Sequence, residues 1–158
     1  MRFFGNRAAG SRIEILKNIP VFRELSRKEI LEVDELLHER GYEKDEIIFE
    51  EGDVGHGIFI VLSGMIRAKS SRKLLGGAVL EFGPGDLLGE LCLFEEGPRT
   101  ATAVATARTV TVALFQAEFA ALLMKNKSIG VKVLMEISKT MSRRARQLLL
   151  QEPGLPSV

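Results

Sequence analysis

Apolar residues along the chain change their spacing twice. Between Ser11 and Ile19 they recur at roughly helical intervals (Ile13, Ile15, Leu16, Ile19), and Pro20 stops the run. A second helix is predicted from Ser26. The serine is a good N-cap, and Glu29 three residues later completes a capping-box pattern. Ile30, Leu31, Val33, Leu36 and Leu37 supply its apolar stripe, and Gly41 reads as its C-terminal stop.

From Gly41 to Phe115 the period shortens to two. Ile47–Phe49, Gly57–Leu62, Met65–Ala68, Ala78–Phe82, Ala101–Ala105 and Val110–Phe115 are short runs rich in β-formers. Turn residues separate them, at Glu51-Gly52-Asp53, Ser63-Gly64, Gly76-Gly77, Gly83-Pro84-Gly85 and Gly97-Pro98. Strands this short and this regularly spaced predict a β-sandwich or barrel. After Phe115 the helical period returns. Glu118–Met124 predicts a short helix, and Ser128 caps a longer one reaching about Leu150. Leu134, Ile137, Met141, Ala145 and Leu148 form a narrow seam along it.

Composition narrows the class. The 158 residues fit one domain with a real core, and 46% hydrophobic against 27% charged residues excludes a disordered chain. No apolar run approaches the roughly 20 residues of a membrane span, and the first twelve residues lack a signal-peptide core, so the reading is cytoplasmic. Cys92, the single cysteine, makes neither an internal disulfide nor a thiolate metal cage. Net charge is +1, but residues 41–115 carry −4 and residues 116–158 carry +4. Eleven of the fifteen glycines fall between Gly41 and Gly97, where the chain turns most.

The segment from Gly83 to Ala103 carries the chemistry. Gly89 and Glu90 open a short apolar stretch, Leu91–Phe94, long enough for one helical turn, whose first N–H groups attract anions. Nine residues after Glu90 comes Arg99, followed by the small residues Thr100 to Ala103. The planar fork of an arginine donates two hydrogen bonds to a phosphate, and a carboxylate accepts from a sugar hydroxyl. The pair suits a ligand with one anionic phosphate and one ribose hydroxyl. Two histidines are too few for a cupin-like metal site, so no metal is expected; no nucleophile elbow is present, so no enzyme is expected either.

Leu88-Gly89-Glu90-Leu91-Cys92-Leu93-Phe94 and Pro98-Arg99-Thr100-Ala101-Thr102, at their nine-residue interval, resemble the phosphate-binding cassette of the cyclic nucleotide-binding domain family. That family is shared by the catabolite activator protein, kinase regulatory subunits and cyclic nucleotide-gated channels. Ile48–Asp53, Phe59–Gly64 and Gly83–Asp86 extend the resemblance upstream, so that it spans residues 19–150. It implies a mainly β fold with flanking helices: an eight-stranded, jelly-roll-like β-roll between N-terminal helices and C-terminal lid helices. Residues 1–158 would form one domain, with a helical segment to 40, the roll from 41 to 115, helices from 116 to 150 and a tail.

By the same resemblance Arg99 grips the cyclic phosphate and Glu90 the ribose 2′-hydroxyl. Backbone N–H groups of Gly89, Leu91, Thr100 and Ala101 complete the cradle, Cys92 lies within it, and Ala68, Leu80 and Phe82 pack the base. Hydrogen bonds to charged groups contribute ~1.5–3 kcal/mol each, and a micromolar site needs about 8 kcal/mol, so a few such bonds with a buried base suffice. Leu88 stands where the family usually has an aromatic, Cys92 where alanine is frequent, and Gly55-His56-Gly57 where Gly-Asp-Ser is common.

The expected ligand is cyclic AMP or cyclic GMP, cyclic AMP favoured, with a lid residue somewhere in Lys139–Arg146. Output passes to an effector protein or through self-association of the last helix. Only Gln151–Val158 follows that helix, so no DNA-reading helix-turn-helix is expected. The rival readings are an interaction module that keeps the fold but binds no nucleotide, and a regulatory piece of a channel or kinase-type assembly.

Overall fold

A computed structural model of the chain describes residues 9–71 and 79–151. The N-terminal pattern folds as α1 (Ala9–Lys17), a 3₁₀ turn at Pro20–Phe22 and α2 (Arg27–Asp34). The capping box forms as expected: Ser26 Oγ accepts from the Glu29 N–H, and the Glu29 carboxylate accepts from the Ser26 N–H at 2.7 Å. Gly41 does not stop this helix. α2 ends at Asp34, and Gly41 lies inside strand β1 (His38–Tyr42). That strand has no apolar alternation, and its place is set by pairing with β10 (Thr109–Phe115), His38 opposite Ala113 and Tyr42 opposite Thr109.

The remaining strands are β2 (Ile47–Phe49), β3 (Val54–Gly55), β4 (Gly57–Ser63), β5 (Ile66–Lys69), β6 (Val79–Phe82), β7 (Leu87–Leu88), β8 (Gly97–Pro98) and β9 (Thr102–Ala105). Of the ten strands among the described residues, eight form two four-stranded antiparallel sheets, ordered β1-β10-β4-β7 and β2-β9-β5-β6, and β3 pairs with β8 in a separate two-residue ribbon. This is the eight-stranded β-roll expected from the sequence. The two-residue strands carry too little pattern to be read ahead of the fold, and Gly76, Gly77 and Ala78 lie outside the described residues.

Strand β4 explains how the roll holds together. Its continuous apolar run is buried on both faces. Ile58 and Ile60 face a core shared with Ile30 and Val33 of α2, Val112 and Leu114 of β10, and the C-terminal helices. Val61, on the other face, joins Ile66, Ala68, Phe82, Leu88 and Ala103 between the sheets.

Helix α4 runs Gln116–Lys125 and α5 runs Lys127–Gln151. α5 begins one residue before Ser128, and Asn126 does the capping, its side-chain oxygen accepting from the Ile129 N–H. The predicted seam is largely a packing stripe. Ile137 is fully buried, and Leu134 and Met141 pack against the same core. Ala145 departs from it and is exposed, because the helix has by then run past the core; the Leu148 side chain is outside the described residues.

Candidate ligand-binding site

The cassette sits where the two sheets meet. Chain reversal at Gly83-Pro84-Gly85 brings β7 against β4, with Leu88 opposite Phe59. The chain then turns through Gly89, whose φ of +77° belongs to the left-handed region. A Cβ there would overlap the guanidinium of Arg99, so glycine is required by conformation and by space. Helix α3 (Leu91–Phe94) follows as a single turn with Glu90 at its head.

Arg99 is the most informative residue of the site. It leaves the β3–β8 ribbon with its main chain held at both ends, its N–H donating to Asp53 O and its carbonyl accepting from the Gly52 N–H. The side chain is only 6% exposed. Nη1 donates to Gly57 O at 2.9 Å and to Gly89 O at 3.3 Å. The guanidinium lies 4.4 Å from the centroid of the Phe49 ring and 5.5 Å from that of Phe59. It forms no ion pair with any carboxylate among the described residues, and burial pulls its pKa down from the usual arginine value, against the opposing influence of Cys92, Asp53 and Glu90. A buried cation held by neutral carbonyls and ring faces is an expensive arrangement unless an anion completes it.

Glu90 is held from the other side. Its carboxylate accepts from Arg144 Nη1 of α5 at 2.7 Å, and Arg144 Nη2 donates to the Leu87 carbonyl. The Arg144 guanidinium also lies 5.1 Å from the centroid of the Phe82 ring. Arg144 thus meets a carboxylate and a ring that the sequence places in one ligand site. It falls inside the expected Lys139–Arg146 window. The sequence leaves the residue within that window unassigned; Arg144 lies seven residues after Ile137, on the helix stripe that carries Val133 and Ile137 into the core, and that is the signal that could have found it.

The other predicted residues take distinct places. Ala68 is buried on β5 directly opposite Leu80 on β6. Leu80 shares its strand face with the buried Phe82 yet stays 51% exposed. Cys92 is buried, its thiol donating weakly to Gly97 O at 3.6 Å. Gly55 packs tightly against it: a Cβ there would come within 2.7 Å of Arg99 Nε and closer still to the Cys92 sulfur. The unusual Gly55-His56-Gly57 turn is therefore fitted to the arginine beneath it. Leu91 is half exposed, Thr100 is exposed, and Ala101 packs against the inter-sheet core. Sequence reasoning missed Phe49 and Phe59 as supports of Arg99, although both lie in segments singled out above. A cleft on the outer face of the second sheet, lined by Arg67, Lys69, Thr102 and Val104 among others, shares only Thr102 with the cassette and includes neither Glu90 nor Arg99.

A β-roll that sets a buried guanidinium beside a glycine turn and a carboxylate offers a cation and an acceptor suited to a small phosphorylated ligand. Residues 39–126 match the cyclic nucleotide-binding domain, and the chain belongs to that family. It is similar to the cyclic AMP receptor protein of Thermus thermophilus, 36% identical over 111 residues that cover 68% of this chain and 50% of the relative. It also resembles the cAMP-dependent protein kinase regulatory subunit of Hypocrea atroviridis, 27% identical across 74% of this chain and 26% of that protein. Among solved structures, the Thermus thermophilus catabolite activator protein superposes with a TM-score of 0.72 at 32% identity, over 84% of this chain and 61% of that one. A cyclic nucleotide-binding domain from Methylobacillus flagellatus reaches 0.82 over 95% of this chain and 88% of its own, and at 21% identity it supports the fold alone. The chain thus spans half or less of the length of these two sequence relatives.

Proposed function

We propose that this chain is a regulatory receptor for a cyclic nucleotide, cyclic AMP in preference to cyclic GMP, and that it performs no catalysis. The observation that carries this reading is Arg99, a buried guanidinium beside Gly89 without a carboxylate partner among the described residues. The cyclic phosphate takes the place of the missing anion, and the N–H groups of Gly89, Leu91, Thr100 and Ala101 assist it. The ribose 2′-hydroxyl donates to Glu90. Ala68, Leu80 and Phe82 receive the base, and the half-exposed apolar surface of Leu80 beside Phe82 favours that role. Cys92 sits behind Arg99 as a small packing residue rather than a reactive thiol. Thr100 after the arginine accompanies cyclic GMP in some eukaryotic members and is compatible with cyclic AMP in bacterial-type and channel domains; cyclic AMP is favoured because the relatives named above are cyclic AMP proteins by name.

Signalling runs through Arg144. Glu90 has two carboxylate oxygens, so one can serve the ribose while the other holds α5, and ligand and lid then meet on one side chain. The whole of residues 1–158 acts as one unit in a reducing cytoplasm, delivering its signal to an effector protein or to a second copy. Titration calorimetry with cyclic AMP and cyclic GMP is the direct test. Micromolar or tighter binding, stronger for cyclic AMP, is expected; no heat at millimolar concentrations of either nucleotide overturns the reading.

A further inference from the structure

The Arg99 guanidinium can meet a phosphate only if its main chain is held in the right place. The ribbon that delivers it gives weak support. β3 and β8 pair over two residues each and belong to neither four-stranded sheet, and a two-stranded ribbon this short does not hold its own position. Its anchor is the turn just before β3. The Asp53 N–H donates to the Glu50 carbonyl at 3.2 Å, and Gly52, at the third position, takes a φ of +93°. The Asp53 carboxylate closes the same turn by accepting from the Glu50 N–H. The Gly52 N–H and the Asp53 carbonyl then bond to the main chain of Arg99, at 2.9 and 2.7 Å.

Glu51 is the corner of that turn, and it is tied to the roll by its main chain and its side chain. Its N–H donates to Thr102 Oγ1 at 2.9 Å. Its carboxylate accepts from the Ser71 N–H at 2.7 Å, from Ser71 Oγ at 2.9 Å and from the Oγ of the buried Ser70 at 3.5 Å. Ser70 and Ser71 directly follow β5, the strand that carries Ala68 and sets Lys69 opposite Thr102. The side chain thus fastens the turn that holds Arg99 to a sheet of the roll. A carboxylate accepts such bonds more strongly than a neutral group does. Glu51 lines the outer cleft, which includes neither Glu90 nor Arg99, so it reaches the ligand only through the turn. We infer that Glu51 is a positioning residue for Arg99: it touches no ligand, and it sets where the phosphate-binding guanidinium stands. The inference rests on the cyclic nucleotide reading of the site.

The test uses the whole chain. NMR follows the Nε–Hε resonance of Arg99 in the ligand-free protein, assigned by its loss in Arg99→Ala. In the parent it should stand apart from the exposed arginines and exchange slowly with water, because the side chain is buried. In Glu51→Ala it should shift and exchange about tenfold faster, while melting stays cooperative. Cyclic AMP affinity should fall about tenfold in the same variant, since a hydrogen bond weakens steeply as it leaves its geometry. Glu51→Gln keeps the volume and one acceptor oxygen and should lose about threefold. Made on the Arg99→Ala background, Glu51→Ala should cost less than about twofold, because no guanidinium is left to position. A full tenfold loss on that background overturns the proposal and assigns Glu51 to folding at large. So does an Arg99 resonance that neither Glu51→Ala nor Glu51→Gln moves. If Glu51→Ala does not fold, Glu51→Gln carries the same readouts. A parent that binds no cyclic nucleotide overturns the receptor reading instead, and the ligand-free Arg99 resonance then decides this proposal alone.

Discussion

Two arginines converge on the cassette, and they are held in opposite ways. Arg99 comes from the β-roll, is buried, and is fixed at its main chain, at two carbonyls and between two aromatic rings. Arg144 comes from a helix, keeps about a quarter of its side chain exposed, and reaches the roll through one carboxylate, one carbonyl and one ring. The first is part of the core and cannot leave without disturbing it. The second is a partly buried contact made by side-chain atoms alone, with its main chain in a helix rather than in the roll. In the proposed receptor the first group would recognise the ligand and the second would report on it. Moving the rigid group would weaken recognition, and fixing the loose one would silence the report.

The largest expected effect follows from the rigid partner. Arg99→Ala removes two to three charged hydrogen bonds to the phosphate at ~1.5–3 kcal/mol each, so calorimetry should find cyclic AMP affinity lower by at least about 100-fold. An affinity within threefold of the parent would show that the buried guanidinium is structural only. Gly89→Ala comes next. The alanine carries about 1–2 kcal/mol of left-handed strain, and its methyl displaces the Arg99 guanidinium. Affinity should fall by about tenfold or more, and the melting temperature of the ligand-free protein should fall with it.

Most of this comparison's rigid half was legible in the sequence. The Gly89-Glu90 pair, the nine-residue step to Arg99 and the small residues after it constrain local geometry, and local geometry leaves a mark on residue type. The strands read by alternation were those with one buried face or two, such as β4, β9 and β10. β1 was misread as the end of a helix because its partner, not its own side chains, makes it a strand. The loose half was harder. Arg144 lies fifty-four residues from Glu90, and no local rule links them. The α5 seam through Leu134, Ile137 and Met141 was visible, but a period alone does not say whether a stripe meets the protein's own core or another chain. Phe49 and Phe59 were recognisable as strand aromatics, and only the fold shows that an arginine lies between them.

A double-mutant cycle on Glu90 and Arg144 sharpens the loose half. Glu90→Gln keeps the side-chain volume and loses the charge. It should lower cyclic AMP affinity about tenfold, the worth of one charged hydrogen bond, and raise hydrogen exchange across residues 140–147. Arg144→Ala should raise the same exchange and cost affinity by a smaller factor, about fivefold. The two should be non-additive, with a coupling of ~0.5–3 kcal/mol. Additive effects would mean that ligand and helix do not meet on this carboxylate.

The smallest effect tests what pins the near end of the same helix. Lys132 of α5 donates to both oxygens of Glu29 on α2, at 2.7 and 2.9 Å, and this contact, followed by the Ser26 N–H, holds the Glu29 carboxyl below the usual carboxylate range. A carboxyl whose pKa is lower folded than unfolded contributes stability above its unfolded value and loses it as pH falls through the folded one. Glu29→Gln preserves an acceptor for Ser26 but removes the charge. At pH 7 it should therefore melt lower by no more than about 2–4 °C, the equivalent of ~1 kcal/mol in a chain of this size. The gap should close as the pH is taken below the ordinary carboxylate range, where the parent has lost the same charge. A gap that persists in acid would mean that packing of core residues such as Ile129 and Val133, and not the ion pair, anchors this end of the helix.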